Sequence, residues 1–211
     1  MANWITLSRF PGLLAFVLML YFGSPAVRLA SVPFLFFLLM LDTVDGAVAR
    51  ARGQTSLMGS VLDIAADRTY ELVLWVALAN LALIPVAIPL IVIGRTTLTD
   101  ALRSIGISQG KRPFDQHRSR LGRFLVASPW MRSSYSIAKI TAFCGLTLGL
   151  ALAGYPPESG AHRAAPVLLE LFGLAAWVAT GLCVVRGLPV IVSAARRGLG
   201  SAKDPSGSGA P

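Results

Sequence analysis

Acid is scarce in this chain. Among 211 residues there are 10 Asp and Glu against 19 Lys and Arg, and charged residues of both signs together make up only 14%. Soluble domains carry about a quarter of their residues charged, so an ordinary globular composition is excluded. Histidine and cysteine are also rare, with 2 of each. Cys144 and Cys183 sit in long apolar runs with no His or Cys at metal-ligand spacing, which argues against a zinc site or a disulfide framework and for buried free thiols. No small-residue cleavage site follows the first apolar run, so insertion through the first helix is expected in place of a cleaved signal peptide. The net charge of +9 invites a nucleic-acid reading, but the chain lacks a soluble module to present such a patch.

What is present is hydrocarbon-compatible sequence. Hydrophobic residues make up 55% of the chain. They fall into six runs near the roughly 20 residues that a bilayer core demands, at about 9–24, 27–49, 57–80, 84–105, 135–154 and 166–192. The expected fold is therefore an all-α integral membrane protein with six transmembrane helices. The membrane domain is expected over 1–197, with the Gly-, Ser-, Ala- and Pro-rich stretch 198–211 as a disordered tail. Arg50, Arg52, the basic residues from Arg103 to Arg132 and the tail cations fall in one set of loops, and Arg28 and Arg163 in the other. By the positive-inside rule the first set, with both termini, is expected on the cytoplasmic side of the cell membrane.

Against this background Asp42, Asp45, Asp63 and Asp67 lie within 26 residues. Each aspartate costs roughly 2.5–3.5 kcal/mol at the centre of a membrane helix, on the order of 10 kcal/mol for four, unless something compensates. At about 100° per residue, Asp42, Asp45, Gly46 and Ala49 share one face of the second helix, and Gly59, Asp63 and Asp67 recur every fourth residue on the third. The polar stretch 51–56 between them makes the two helices an antiparallel hairpin on which the acids converge. Oxygen donors in this number suit hard cations, Mg²⁺ or Mn²⁺, and two ions about 4 Å apart would span a diphosphate. Gly46 and Gly59 clear the acid-bearing faces for a ligand, and Arg50, one turn past Gly46, can fork onto phosphate oxygens.

The pattern Asp42-x2-Asp45-Gly46-x2-Ala49-Arg50-x8-Gly59-x3-Asp63-x3-Asp67 resembles the motif of the CDP-alcohol phosphotransferases at all eight positions. Asn3, Thr6 and Arg9 resemble the short N-terminal amphipathic segment of bacterial members. The resemblance implies transfer of a phosphatidyl group from CDP-diacylglycerol to the hydroxyl of a small polar acceptor, with release of CMP. It implies Asp42, Asp45, Asp63 and Asp67 as metal ligands, Asp67 also as general base, and Gly46, Ala49, Arg50 and Gly59 as the residues that hold CDP.

Arg95 and Ala101-Leu102-Arg103 are similar to the arginine-bearing segment of bacterial phosphatidylglycerophosphate synthases. That likeness implies glycerol 3-phosphate as acceptor, with Arg95 and Arg103 on its phosphate. Serine and inositol phosphate are the alternative acceptors. An intramembrane prenyltransferase and a cation transporter also place acids in helices, but neither accounts for Gly46, Arg50 and Gly59 on the same surface. Glu71, one turn beyond Asp67, is expected to orient a ligand or to form an ion pair with Arg95. The small residues Gly145 and Gly149 permit close helix packing and are a candidate homodimer contact.

Overall fold

The computed structural model describes residues 2–51, 57–108 and 128–201, with side chains described over 10–40, 64–102, 128, 130, 131 and 133–195. Among these residues the regular structure is entirely helical. The helices are α1 (Ala2–Phe22), α2 (Pro25–Ala51), α3 (Leu57–Asn80), α4 (Ala87–Ser108), α5 (Pro129–Ala153) and α6 (Gly160–Ser201). Six helices occupy the six expected runs, with shifted ends. Helix α1 is continuous from Ala2 through Pro11, with no break between an amphipathic segment and the first apolar run. Helix α6 extends to Ser201, and residues 202–211 of the expected tail lie outside the described residues.

Among the described residues two helical segments are long and apolar enough to cross a membrane, Ser133–Ala153 and Gly160–Ala195, while Phe10–Phe22 and Pro25–Met40 are shorter apolar stretches. Helices α3 and α4 are interrupted by Asp67, Arg68 and Glu71 and by Arg95, Asp100 and Arg103. Large side chains such as Phe36, Phe37, Leu90, Leu171 and Leu174 are exposed, a surface suited to hydrocarbon.

Local chemistry accounts for the helix boundaries. Ser24 caps α2 by accepting from the Val27 amide at 3.4 Å, and Pro25 fills the first helical position, where a missing N–H has no consequence. Ser159 caps α6 in the same way, accepting from the His162 amide at 3.1 Å. Helix α3 ends with Leu83 donating to the Leu78 carbonyl at 3.0 Å and Ala82 donating to that of Ala79 at 2.9 Å. That is a Schellman closure, and it places Ala82 at a φ of 57°, a left-handed position normally given to glycine.

The chain divides into two compact units, Met1–Pro89 with Ile137–Val178, and Leu90–Ser136 with Ala179–Pro211. In the first, α1 packs on both α2 and α3. Leu13, Phe16 and Leu20 of α1, Leu35 and Leu38 of α2, and Ala66, Tyr70, Leu74 and Leu78 of α3 form its core at three- and four-residue spacing. Trp75 meets Phe143 of α5 edge-on, with centroids 4.6 Å apart. Gly145 and Gly149 face the Phe172 ring and Leu169 of α6, so this small-residue stripe is used within the chain.

Candidate active site

The motif falls on two consecutive helices. Asp42, Asp45, Gly46, Ala49 and Arg50 occupy the last turns of α2, and Gly59, Asp63 and Asp67 the first three turns of α3. Only residues 52–56 separate those helices, so the two acid-bearing ends lie within about 20 Å by chain connectivity alone. The side chains of Asp42, Asp45, Ala49, Arg50 and Asp63 lie outside the described residues, as do Gly46 and Gly59 beyond their helical backbone. Asp67 is described, and its side chain is exposed.

Helix α1 fixes the face of α3 that remains available. Phe10 lies against Tyr70, with ring centroids 6.4 Å apart at 56°, and Tyr70 is buried. Residue 67 is 60° from residue 70 around the helix, at about 100° per residue, which leaves Asp67 outside that contact. The same drift separates Asp67 from Glu71. Each four-residue step turns by about 40°, and over one turn the stripe passes from an exposed carboxylate to one that is 5% exposed.

Glu71 is held by cations. Lys139 Nζ of α5 donates to Glu71 Oε2 at 2.9 Å, and Arg68 Nη1 lies 3.8 Å from the same oxygen. The cations on Glu71 are Lys139 and Arg68 and not the expected Arg95, and Lys139 is a partner that helical spacing does not encode. The available signal was complementarity: Glu71 is the one Glu in α3 and Lys139 the one Lys in α5. Opposite charges in apolar helices are costly apart, which favours their meeting, although α3 also carries Asp63, Asp67 and Arg68 and α5 also carries Arg132.

The arginines expected at the acceptor occupy α4, whose Leu90–Ser108 portion belongs to the second compact unit. Arg95 lies against the backbone of Gly187 in α6, and its Nε is buried with no hydrogen-bond partner among the described residues. Thr99 Oγ1 donates to the carbonyls of Arg95 at 2.9 Å and Thr96 at 3.0 Å, tying the next turn to the arginine's own. Within the same unit the Arg186 guanidinium stacks 5.5 Å from the centroid of the Tyr135 ring. Arg103 lies in the last two turns of α4, and its side chain is outside the described residues.

Cys183 is buried and Cys144 half-buried, and both are free thiols, in keeping with a structural role. His162, in the first turn of α6, donates from Nδ1 to the Ala153 carbonyl at the end of α5 at 3.0 Å.

A model of CDP-alcohol phosphatidyltransferases matches residues 1–185, which contain both motif helices and Arg95. The chain belongs to the CDP-alcohol phosphatidyltransferase family. It is therefore a transferase of a membrane-bound family that moves phosphatidyl groups from a CDP-alcohol donor to an alcohol acceptor in phospholipid synthesis. No curated protein matches the chain. Members of this family use divalent metal ions, and the donor set Asp42, Asp45, Asp63 and Asp67 is chemically suited to them: all four donors are carboxylates, spaced on helical backbone that is continuous through each segment. Among the described residues no three acids, His or Cys are grouped, since only Asp67 of the four has a described side chain.

Proposed function

We propose that this chain transfers the phosphatidyl group of CDP-diacylglycerol to glycerol 3-phosphate, forming phosphatidylglycerophosphate and releasing CMP. The observation that carries the reading is the complete eight-position motif on consecutive helices inside the family-matched segment. Arg95 and Arg103 support the choice of acceptor, since a guanidinium on an apolar helix suits a phosphorylated ligand.

In this reading the acceptor hydroxyl oxygen bonds to the phosphorus that carries diacylglycerol, and the bond from that phosphorus to the CMP oxygen breaks. Asp67 accepts the hydroxyl proton, which its exposed position on α3 allows. Arg50 offsets the charge on departing CMP, while Gly46, Ala49 and Gly59 leave room for the nucleotide at the backbone. Asp42, Asp45, Asp63 and Asp67 would hold Mg²⁺ or Mn²⁺, which supplies charge neutralisation at the diphosphate. Six membrane-spanning helices would place this site and both termini on the cytoplasmic face of the cell membrane.

The test uses the purified full chain in detergent with CDP-diacylglycerol, Mg²⁺ and a panel of acceptors: glycerol 3-phosphate, serine, inositol, inositol phosphate and phosphatidylglycerol. CMP release with glycerol 3-phosphate alone is the expected result. Release with serine alone would reassign the acceptor, and release with none would overturn the reading.

A further inference from the structure

Glycines in the second half of α6 differ in what surrounds them. A methyl group added at Gly181 would meet nothing within 4 Å, whereas one added at Gly187 would meet Arg95 Nε at 2.6 Å and Arg95 Cγ at 2.9 Å. Cγ, with Cδ at 3.3 Å, belongs to the stem and Nε to the base of the guanidinium, so the side chain could not yield by moving its tip alone. Alanine is the better helix former, which leaves the Arg95 contact as the physical reason for a glycine at this position.

The arginine on the other side of that contact adjoins a second buried polar atom. Its Nε is buried and lacks a hydrogen-bond partner among the described residues, and Oγ1 of the adjacent Thr96, also buried, lacks one too. Buried polar atoms are nearly always satisfied, so two orphans on consecutive residues of an apolar helix mark a place where a ligand supplies what the protein does not. Arg186, next to Gly187, lies over the Tyr135 ring.

We propose that Gly187 is a positioning residue for Arg95: the missing side chain lets the arginine stem lie against the α6 backbone and holds the guanidinium in the pose that takes the acceptor's phosphate. This rests on the reading of Arg95 as an acceptor-binding residue given above. A planar, forked cation grips phosphate only in a narrow range of orientations, so displacing its stem weakens acceptor binding without touching the donor.

The experiment is a double-mutant cycle on the full chain in detergent. Wild type, Gly187→Ala, Arg95→Ala and the double variant are assayed for CMP release at saturating CDP-diacylglycerol with glycerol 3-phosphate varied, and each is melted. Gly187→Ala is expected to raise the acceptor KM on the order of tenfold with kcat and the donor KM nearly unchanged, and Gly181→Ala to leave all three alone. In the Arg95→Ala background the Gly187→Ala step should change the acceptor KM by less than about twofold, because its only route of action is gone. If Gly187→Ala melts too low to assay, adding Arg95→Ala should restore its melting temperature. An unchanged KM in Gly187→Ala, an undiminished effect in the Arg95→Ala background, or no restoration of melting would each overturn the proposal. Absence of CMP release by wild type would sink the functional reading instead, and the melting cycle would still decide whether Gly187 and Arg95 are coupled.

Discussion

Asp67 and Glu71 are carboxylates one turn apart on α3, and their surroundings are opposite. Glu71 is 5% exposed and gripped by Lys139 and Arg68, whereas Asp67 is exposed. An acid in an apolar helix needs compensation, and a protein cation gives it permanently. Glu71 is thereby committed to fastening α3 to α5. Asp67, 40° around the helix, is exposed, and in the proposed reading it is the acid that meets the substrate. The contrast shows that two acids one turn apart on a helix can meet opposite surroundings, one buried against cations from its own and a distant segment and the other at the surface.

The sharpest way to break this comparison is to neutralise each acid in turn. Asp67→Asn should lower kcat by about 10²–10⁴-fold, the range for loss of a general base, with a melting temperature close to wild type. Arg95→Ala should come next, raising the KM for glycerol 3-phosphate by roughly 10–100-fold while the KM for CDP-diacylglycerol stays put, as steady-state kinetics would show. Glu71→Gln should do the reverse of Asp67→Asn. It leaves Lys139 without its counter-charge, costs about 3–5 kcal/mol of stability, and should appear as a lowered thermal midpoint with kcat per folded molecule largely kept. If Glu71→Gln abolished turnover without lowering the midpoint, the division between the two acids would be wrong. The smallest effect is expected at Gly145→Ala, where the new methyl group runs into the Phe172 ring; overpacking of this kind costs about 1–3 kcal/mol in a thermal melt.

Much of this molecule is legible in its sequence, for identifiable reasons. The six helices follow from six apolar runs, and at Ser24-Pro25 and Ser159-Gly160 caps and chain-breaking residues set their starts locally. The motif is legible because its eight positions obey helical spacing within two adjacent segments. Contacts between distant segments are not. Lys139 meets Glu71 across 68 positions, and Gly187 faces Arg95 across 92, and no local periodicity encodes either pairing. The stripe of Gly145 and Gly149 likewise advertises close packing, yet only the fold shows that Phe172 and Leu169 of the same chain fill it. Run length also says less about spanning than about helix formation: among the described residues two segments pass on length and apolarity, and charges interrupt α3 and α4.

The central claim is that the acid-bearing faces of α2 and α3 carry out phosphatidyl transfer with Asp67 as the proton acceptor. It is tested most directly by measuring CMP released from CDP-diacylglycerol and glycerol 3-phosphate by the purified full chain and by Asp67→Asn at matched melting temperature. Stoichiometric CMP and phosphatidylglycerophosphate from wild type, with the variant slower by about two orders of magnitude or more, is the predicted result. Equal rates from the two proteins would contradict it.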